Sequence, residues 1–286
     1  MIYILIPVHN RKIFTRDCLA SLDKQTCKDY KLVVIDDGSS DGTREMLAAE
    51  FPGVTVLTGD GNLWWTRSIN KGVDYALKRG SNNDYILTLN NDLIVNEDYL
   101  SSLLSCTLAH PGSLIGSVSV DINDNERIYD GGVSINFWTA KHRVFNQGEK
   151  LSAILRESSG IFPVSTLPGR GTLIPFQVFT TIGLYNFKHF PHYGADYEFS
   201  ARARKAGFNL LINYKAVVKS HIRETGISKA KVSIRDYFFN IRSSSSLSYR
   251  YHFALNISSN PLQILSYLLF DTGRNLYRYA RGLIGS

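Results

Sequence analysis

YILTLNNDLIV, residues 85–95, is an apolar run with strand character that two amides and a carboxylate interrupt. The run stops at NND, residues 90–92, and resumes as LIV, residues 93–95. Polar side chains are costly inside a buried element unless they are paired. We therefore expect the strand to end at Leu89, at the edge of a sheet, and LIV to belong to the next packed segment.

Strand and helix patterns alternate on both sides of this stretch. IYILIPV (2–8), KLVVID (31–36) and VTVL (54–57) are apolar runs typical of buried strands, and segments with helical spacing separate them. Residues 121–168 are rich in Gly, Asn and Ser and indicate short strands and loops. Two helical segments and a late strand, NLLINYKAVVKSH (209–221), then follow. This order predicts an α/β fold with a mainly parallel, Rossmann-like nucleotide-binding sheet flanked by helices.

Composition limits the class of protein. A chain of 286 residues with 44% hydrophobic residues can bury a large core. Its three cysteines form no CxxC pair, which favours a reducing, cytoplasmic setting over a secreted one. We see no signal peptide, and every apolar run is too short to span a bilayer.

The positive charge is concentrated in the C-terminal third of the chain. Residues 201–286 contain 14 Lys+Arg and 3 Asp+Glu, a net +11, whereas the remainder has 18 against 22, a net −4. A basic segment of this kind is typical of proteins that meet an anionic partner. Nucleic acid, an anionic membrane surface and a phosphorylated substrate all fit this charge.

Four polar clusters follow the ends of four consecutive predicted strands. They are PVHNR (7–11), DDGSSDGT (36–43), GDGNLWWTR (59–67) and NND. Ligands of open α/β sheets bind beyond the carboxyl ends of the strands, so the pattern predicts a ligand cleft at this edge. Asp36 or Asp37 could accept the imide N–H of a base there, although an Asx turn explains the same residues without a ligand.

Carboxylates suited to metal binding and proton transfer occur in two places. Asp92 could bind a hard cation such as Mg²⁺ or Mn²⁺ whose other ligands are phosphate and water, with His221 as a second ligand. Asp196 and Glu198 begin an amphipathic helix, where acidic residues also favour the helix dipole without any catalysis. One of them could serve as a general base toward an acceptor hydroxyl.

Two other enzyme classes lack their motifs. A nicotinamide-dependent dehydrogenase needs G-x-G-x-x-G after the first strand, and PVHNRKIF does not supply it. A sugar nucleotidyltransferase needs a Gly-rich loop with Arg or Lys at the same place, which is also absent.

Taken in order, the motifs resemble glycosyltransferase family 2, the inverting nucleotide-sugar transferases with the GT-A fold. The resemblance covers roughly residues 2–225, and within the family it looks closest to the branch that builds bacterial surface polysaccharides, including rhamnosyltransferases. The matching stretches are IPVHNR, VVIDDGSSDGT, GNLWWTRSINKGVDYAL, LTLNND, LPGRGTLIP and YGADYEFSARARKAGF.

The resemblance implies a role for each matching residue. NND replaces the family's DxD motif, so Asp92 would bind Mn²⁺ or Mg²⁺ with His221, although amides at the first two positions depart from that motif. Asp196 would be the catalytic base and Glu198 its supporting acid. Asp37 would accept the imide proton of the base. The other nucleotide- or donor-binding residues would be Pro7, Val8, His9, Arg11, Asn62, Trp65, Asn70, Asn90, Asn91, Gly169, Arg170 and Gly171.

The resemblance also implies a reaction and partners. A sugar would pass from a UDP- or dTDP-sugar, with dTDP-rhamnose among the candidates, to a hydroxyl of a growing and lipid-diphosphate-linked bacterial surface glycan. The alternative is a non-catalytic nucleotide-sugar-binding or glycan-binding partner in polysaccharide assembly, which the amides of NND favour.

We place a domain boundary near residue 228. Residues 1–228 would form the GT-A catalytic domain, and residues 229–286 a basic, aromatic, helical C-terminal extension. Two interpretations of the extension remain open: helices packed on the catalytic domain, or peripheral attachment to the inner face of an anionic cell membrane. We do not expect nucleic-acid binding, because no recognition motif accompanies the charge.

Overall fold

The computed structural model of the chain describes residues 1–221, 233–241, 243 and 245–284, with backbone only for 282–284. The strands are β1 (Ile2–Val8), β2 (Tyr30–Asp36), β3 (Thr55–Thr58), β4 (Tyr85–Thr88), β5 (Leu93–Val95), β6 (Leu114–Asp121), β7 (Asp124–Asp130), β8 (Val133–Asn136), β9 (Lys141–Val144), β10 (Ile161–Pro163), β11 (Thr172–Pro175) and β12 (Leu210–Ser220). The helices are α1 (Lys12–Asp23), α2 (Thr43–Glu50), α3 (Trp64–Leu77), α4 (Tyr99–Ala109), α5 (Leu151–Glu157), α6 (Phe176–Ile182), α7 (Ala195–Lys205), α8 (Ile234–Phe239), α9 (Leu247–Ile257) and α10 (Pro261–Ile284).

One large, mainly parallel sheet organises the molecule. Its order is β10-β12-β6-β11-β4-β1-β2-β3, and β11 runs antiparallel between β4 and β6. Strands β1 to β4 are mutually parallel in the order β3-β2-β1-β4, and β12 is parallel to β6. The predicted α/β class and mainly parallel sheet are confirmed.

Alternation along β1 explains why both faces of the sheet are covered. Even-numbered residues such as Ile4 and Ile6 pack on the face that α1, α2 and α4 cover. Odd-numbered residues such as Tyr3 and Leu5 pack on the opposite face, with α3, α6 and α7. Successive strand side chains point to opposite faces, so a continuous apolar run serves two core layers.

The C-terminal helices share one of these core layers. Phe253 of α9 and Tyr267 of α10 are buried in the same apolar cluster as Phe199 of α7. The predicted helical extension is confirmed, whereas the proposed boundary at residue 228 lies outside the described residues and stays a prediction. No helix within the described residues combines the length and the hydropathy needed to cross a bilayer.

The region predicted as short strands and loops contains one further element. Strands β7 to β10 agree with that expectation, but Leu151–Glu157 forms helix α5. Leu151, Ile154 and Leu155 have helical spacing over only two turns, too short a pattern to stand out in the sequence.

Candidate active site

The carboxyl ends of β1, β2, β3 and β4 lie side by side because these strands are parallel neighbours. The loops that leave them contain three non-glycine residues in left-handed backbone conformation: Asn10 (φ 59°), Arg11 (φ 63°) and Trp64 (φ 57°). Such conformations are costly and cluster at functional sites. Asn10 N–H donates to Ser39 Oγ at 2.8 Å, which ties the loop after β1 to the loop after β2.

Asp37 organises the loop that precedes α3. Its carboxylate is nearly buried and accepts backbone N–H groups from Gly61 (2.8 Å), Leu63 (2.9 Å) and Trp64 (3.1 Å). Asp37 O lies 2.6 Å from Nδ1 of the exposed His9 ring. A carboxylate offers about four acceptor sites, so one remains for the predicted contact with a nucleobase.

Trp65 joins three of the predicted motifs. Its indole N–H donates to Asn90 Oδ1 at 3.2 Å. Its ring lies against Gly169, where an added Cβ would be only 2.3 Å from the Trp65 Cζ2 atom. Its other neighbour is Tyr185, with ring centroids 5.5 Å apart in a T-shaped arrangement. Any side chain at position 169 would therefore displace the indole.

Asp196 lies at the other side of Gly169. The Gly169 N–H donates to Asp196 Oδ2 at 2.7 Å, and the Tyr197 N–H donates to Oδ1 at 2.9 Å. Burial raises the pKa of the Asp196 carboxyl, against the opposing influence of these N–H groups and of the Arg170 charge. A carboxylate with a raised pKa is a stronger base than an ordinary one, as general-base catalysis requires.

A continuous chain of contacts thus connects five of the predicted motifs. It runs from the Asp37 carboxylate through the loop to Trp65, then to Asn90 on one side and Gly169 on the other, and ends at Asp196. These residues are far apart in sequence, and the parallel sheet brings them together.

The predicted metal ligands lie at one place. Ser220 pairs with Leu93 in the antiparallel β5–β12 ladder, so His221 follows β12 where Asp92 precedes β5. The carboxylate of Asp92 is 3.0 Å from Arg11 Nη1, and both Arg11 and His221 contact the Phe14 ring.

The donor set at this place is small. Across the described parts of the chain, no three His, Cys, Asp or Glu side chains converge as a metal site. One carboxylate and one imidazole fit a divalent cation that takes its other ligands from a diphosphate and water. Asp92 must then exchange its Arg11 partner for the ion.

Arg170 is held by a residue that was not predicted from the sequence. Its Nη2 donates to Asp130 Oδ2 at 2.7 Å, and its guanidinium lies 5.3 Å from the centre of the Tyr129 ring. The neighbouring Gly171 has φ 84° and lies against the side chains of Ser117 and Tyr99. Asp130 belongs to the region of weak periodicity, and its only signal was a carboxylate followed by two glycines.

Several predicted site residues have their side chains engaged within the protein. Asn91 Nδ2 donates to Thr15 Oγ1 at 3.0 Å, and the Asn70 side chain bonds both backbone polar groups of Tyr185. Val8 is buried in the core, whereas Pro7 is half-buried and Asn62 is exposed.

Glu198 is also enclosed rather than open to the cleft. It is fully buried and accepts hydrogen bonds from Arg202 Nε (2.8 Å) and Asn256 Nδ2 (2.9 Å). These contacts connect α7 to α9 of the C-terminal extension. The sequence pattern on α7 alone gave no signal for the partner Asn256.

Known proteins resemble the chain in sequence. A family model described as Glycosyl transferase family 2 matches residues 3–162. An N-acetylglucosaminyl-diphospho-decaprenol L-rhamnosyltransferase of Mycobacterium tuberculosis is 24% identical over 213 residues, 66% of this chain and 66% of that protein. Glycosyltransferase GlyA of Streptococcus pneumoniae is 26% identical over 131 residues, 45% of this chain and 18% of that protein. The chain therefore spans from under a fifth to about two thirds of the length of these relatives.

Solved structures match the fold over nearly the whole chain. A mannosyltransferase from Pyrobaculum calidifontis, in complex with GDP-Man and Mn²⁺, superposes with a TM-score of 0.64 at 14% identity, covering 99% of this chain and 74% of that one. GalNAc-T7 with UDP, GalNAc and Mn²⁺ gives a TM-score of 0.62 at 15% identity, covering 96% and 54%. These matches confirm the GT-A fold. The family model matches more than half of this chain, and the chain therefore belongs to glycosyl transferase family 2.

Proposed function

We propose that this chain is an inverting glycosyltransferase that moves a sugar from a nucleotide-diphosphate donor to a hydroxyl of a bacterial surface glycan. The observation that carries the proposal is the chain of contacts from Asp37 through Trp65 and Gly169 to Asp196. It connects a candidate nucleobase contact to a carboxylate with a raised pKa. Membership of the family supports the transfer of a glycosyl group.

The donor in this proposal is a UDP- or dTDP-sugar. The last acceptor site of Asp37 takes the imide proton of the base, and the exposed His9 ring packs against it. Uracil and thymine share that imide edge. The rhamnosyltransferase relative in M. tuberculosis makes dTDP-rhamnose one candidate among these donors.

Asp92 and His221 are the residues that would hold Mn²⁺ or Mg²⁺ in this proposal. Two structural neighbours were solved with Mn²⁺, which supports a divalent cation. When bound, such an ion offsets the charge that develops on the departing nucleoside diphosphate. Arg11, which pairs with the Asp92 carboxylate, would have to release it for the ion to bind.

Asp196 performs the proton transfer. Its carboxylate removes the proton of the acceptor hydroxyl as that oxygen attacks the anomeric carbon from the face opposite the leaving group. The N–H groups of Gly169 and Tyr197 fix the orientation of the carboxylate. Glu198 does not take the proton itself. It holds α7, the helix that contains Asp196, against α9. A single displacement inverts the configuration at the anomeric carbon.

The acceptor in this proposal is a lipid-diphosphate-linked glycan on the cytoplasmic face of the cell membrane. The M. tuberculosis relative is named for a sugar carried on diphospho-decaprenol, which supports this class of acceptor. An enzyme with such an acceptor works beside a bilayer, and peripheral contact through the C-terminal extension belongs to the same proposal.

A thermal-shift screen against nucleoside diphosphates, with and without Mn²⁺, tests the donor site. We expect UDP or dTDP to raise the melting temperature more with Mn²⁺ than without it, and chelation to remove the difference. Asp92→Asn should abolish the same difference. A nucleoside diphosphate effect that is unchanged by chelator and by Asp92→Asn would refute the assigned metal ligands.

Release of nucleoside diphosphate from a panel of nucleotide sugars tests the activity. Donor turnover in the wild-type protein would exclude a non-catalytic binding partner. Nucleotide binding without turnover of any donor, with or without a lipid-linked acceptor, would favour that alternative.

A further inference from the structure

Helix α10 turns its polar side chains toward the protein. Gln263, Asp271 and Asn275 are buried, and Asp271 forms an ion pair with Arg250 of α9 at 2.5 Å. Asn275 Oδ1 accepts a hydrogen bond from the Tyr237 hydroxyl. Tyr267 is buried beside them, and Ile264 and Leu268 pack partly buried against the core, so the inward side of α10 is both polar and apolar.

The outward face of α10 is apolar. Leu262, Leu265 and Leu269 are 72%, 68% and 70% exposed, and Leu276 and Tyr277 extend the stripe toward the C-terminus. Leu265 and Leu269 follow Leu262 by three and seven residues, and Leu276 follows Leu269 by seven, so with 3.6 residues per turn these positions lie on one side of the helix. The fifteen rises of about 1.5 Å from Leu262 to Tyr277 give a stripe roughly 23 Å long.

Charge is absent from this stripe and present around it. Between residues 261 and 277 the charged residues are Asp271, which is buried, and Arg274, which donates to the Thr139 carbonyl. Arg278 and Arg281, one turn farther on, are exposed.

The β8–β9 hairpin extends the surface beside α10. Ser266 Oγ of α10 donates to the Trp138 carbonyl at 2.9 Å, and the Trp138 side chain is 49% exposed. Lys141 and Arg143 of β9 are exposed in the same hairpin. Trp and Tyr are the residues enriched where an apolar phase meets water.

We propose that this surface, formed by the outward face of α10 together with Trp138, binds an anionic lipid bilayer. A helix with an exposed apolar face and flanking arginines can lie in the membrane interface without crossing it. The stripe supplies the apolar area, and the exposed Arg and Lys residues attract anionic headgroups.

Charge favours a bilayer over a second copy of the chain. The exposed charged residues beside the stripe, Lys141, Arg143, Arg278 and Arg281, are all basic. Two such faces brought together would repel each other, whereas an anionic headgroup layer is complementary to both.

The bilayer would lie on the side of the molecule that carries the candidate base. Helix α9 packs between α10 and α7, and Asn256 of α9 donates to Glu198, two residues from Asp196. This relation to the acceptor rests on the proposed function. Lipid binding itself needs no turnover, so the two proposals can fail separately.

Vesicle co-sedimentation of the full chain tests the surface. We expect binding to vesicles of phosphatidylcholine with 30% phosphatidylglycerol, and weak binding to phosphatidylcholine alone. The double variant Leu265→Glu/Leu269→Glu should lower the partition coefficient more than tenfold. Leu108→Glu is the matched control, because Leu108 of α4 is 78% exposed and lies outside the surface. The thermal shift with UDP or dTDP should be unchanged in both variants.

Two results would overturn the proposal. One is sedimentation of the Leu265→Glu/Leu269→Glu variant equal to that of the wild type. The other is a wild-type dimer in light scattering that does not bind vesicles and becomes monomeric in this variant, which would assign the stripe to a second copy.

Discussion

Asp196 is subject to two opposing influences within a few ångströms. Burial disfavours its charged form, whereas two backbone N–H groups and Arg170 favour it, and the net result is a raised pKa. The same N–H groups leave the carboxylate with acceptor capacity on its open side.

Asp196→Asn should lower transfer by about 10²–10⁴-fold, since an amide keeps the shape but takes no proton. Asn can still accept the Gly169 N–H, so the cleft should keep its geometry and its affinity for nucleoside diphosphate. Steady-state kinetics and calorimetric titration with UDP or dTDP would measure the two quantities. Near-normal turnover would remove Asp196 from the role of base.

The raised pKa also predicts the pH dependence of turnover. A base must be deprotonated, so kcat should fall as the pH decreases through the pKa of Asp196. Because that pKa is raised, the acid limb should have its midpoint above the ordinary carboxyl value of about 4. A pH–rate profile checks this expectation, and a rate that stays constant down to pH 4 would contradict it.

Among the elements, the loop before β11 approaches α3 most closely at Gly169. Gly169→Ala should push its Cβ into the Trp65 ring and lower the free energy of unfolding by about 1–3 kcal/mol. Affinity for nucleoside diphosphate should fall as well, because Trp65 also holds Asn90. Gly53→Ala is the matched control, since no atom lies within 4 Å of the added Cβ. Equal melting temperatures for the two variants would refute this close contact.

The buried contacts that Glu198 makes between α7 and α9 predict a loss of folding stability when this residue is removed. Glu198→Ala leaves Arg202 and Asn256 without their shared partner and should cost about 3 kcal/mol, as for other broken buried ion pairs. Asp74→Ala breaks an exposed pair at the same i,i+4 spacing, with Lys78, and should cost less than about 0.5 kcal/mol. Urea unfolding of both variants measures the difference. A small loss in the free energy of unfolding for Glu198→Ala would mean that these contacts between α7 and α9 do not stabilise the fold.

The sequence predicted some elements well and others poorly for physical reasons. Strand β1 is a continuous apolar run buried on both faces, so its pattern is unambiguous. Strand β7 is exposed over its first four residues, and β9 is exposed over most of its length, so neither carries a strong apolar alternation. Asp130, at the end of β7, was missed for this reason.

The same holds for the candidate site. The positions of Asp37, Asp92 and Asp196 in the fold could be predicted because each stands beside an apolar element, whereas their roles stay predictions. The pairing of Arg11 with Asp92, and of Asn256 with Glu198, joins residues 81 and 58 positions apart. Such pairs depend on how the loops and helices pack, so local sequence patterns do not predict them.

At the scale of the whole molecule, two surfaces follow from one topology. Parallel strands bring the polar clusters to a single edge, and the C-terminal helices cover the adjoining α7 while turning an apolar stripe outward. In the proposed reaction, the donor would bind at that edge while an acceptor anchored in a bilayer would lie beside Asp196. The proposed reaction requires a single donor cleft between Asp92 and Asp196.

A crystal structure with UDP or dTDP and Mn²⁺ tests that cleft most directly. We expect the ion to contact the Asp92 carboxylate in place of Arg11, the diphosphate to lie beside it, and the Asp196 carboxylate to face the terminal phosphate from across the cleft. A ligand bound on another surface, or an intact Arg11–Asp92 pair with the phosphates distant from Asp196, would contradict the account.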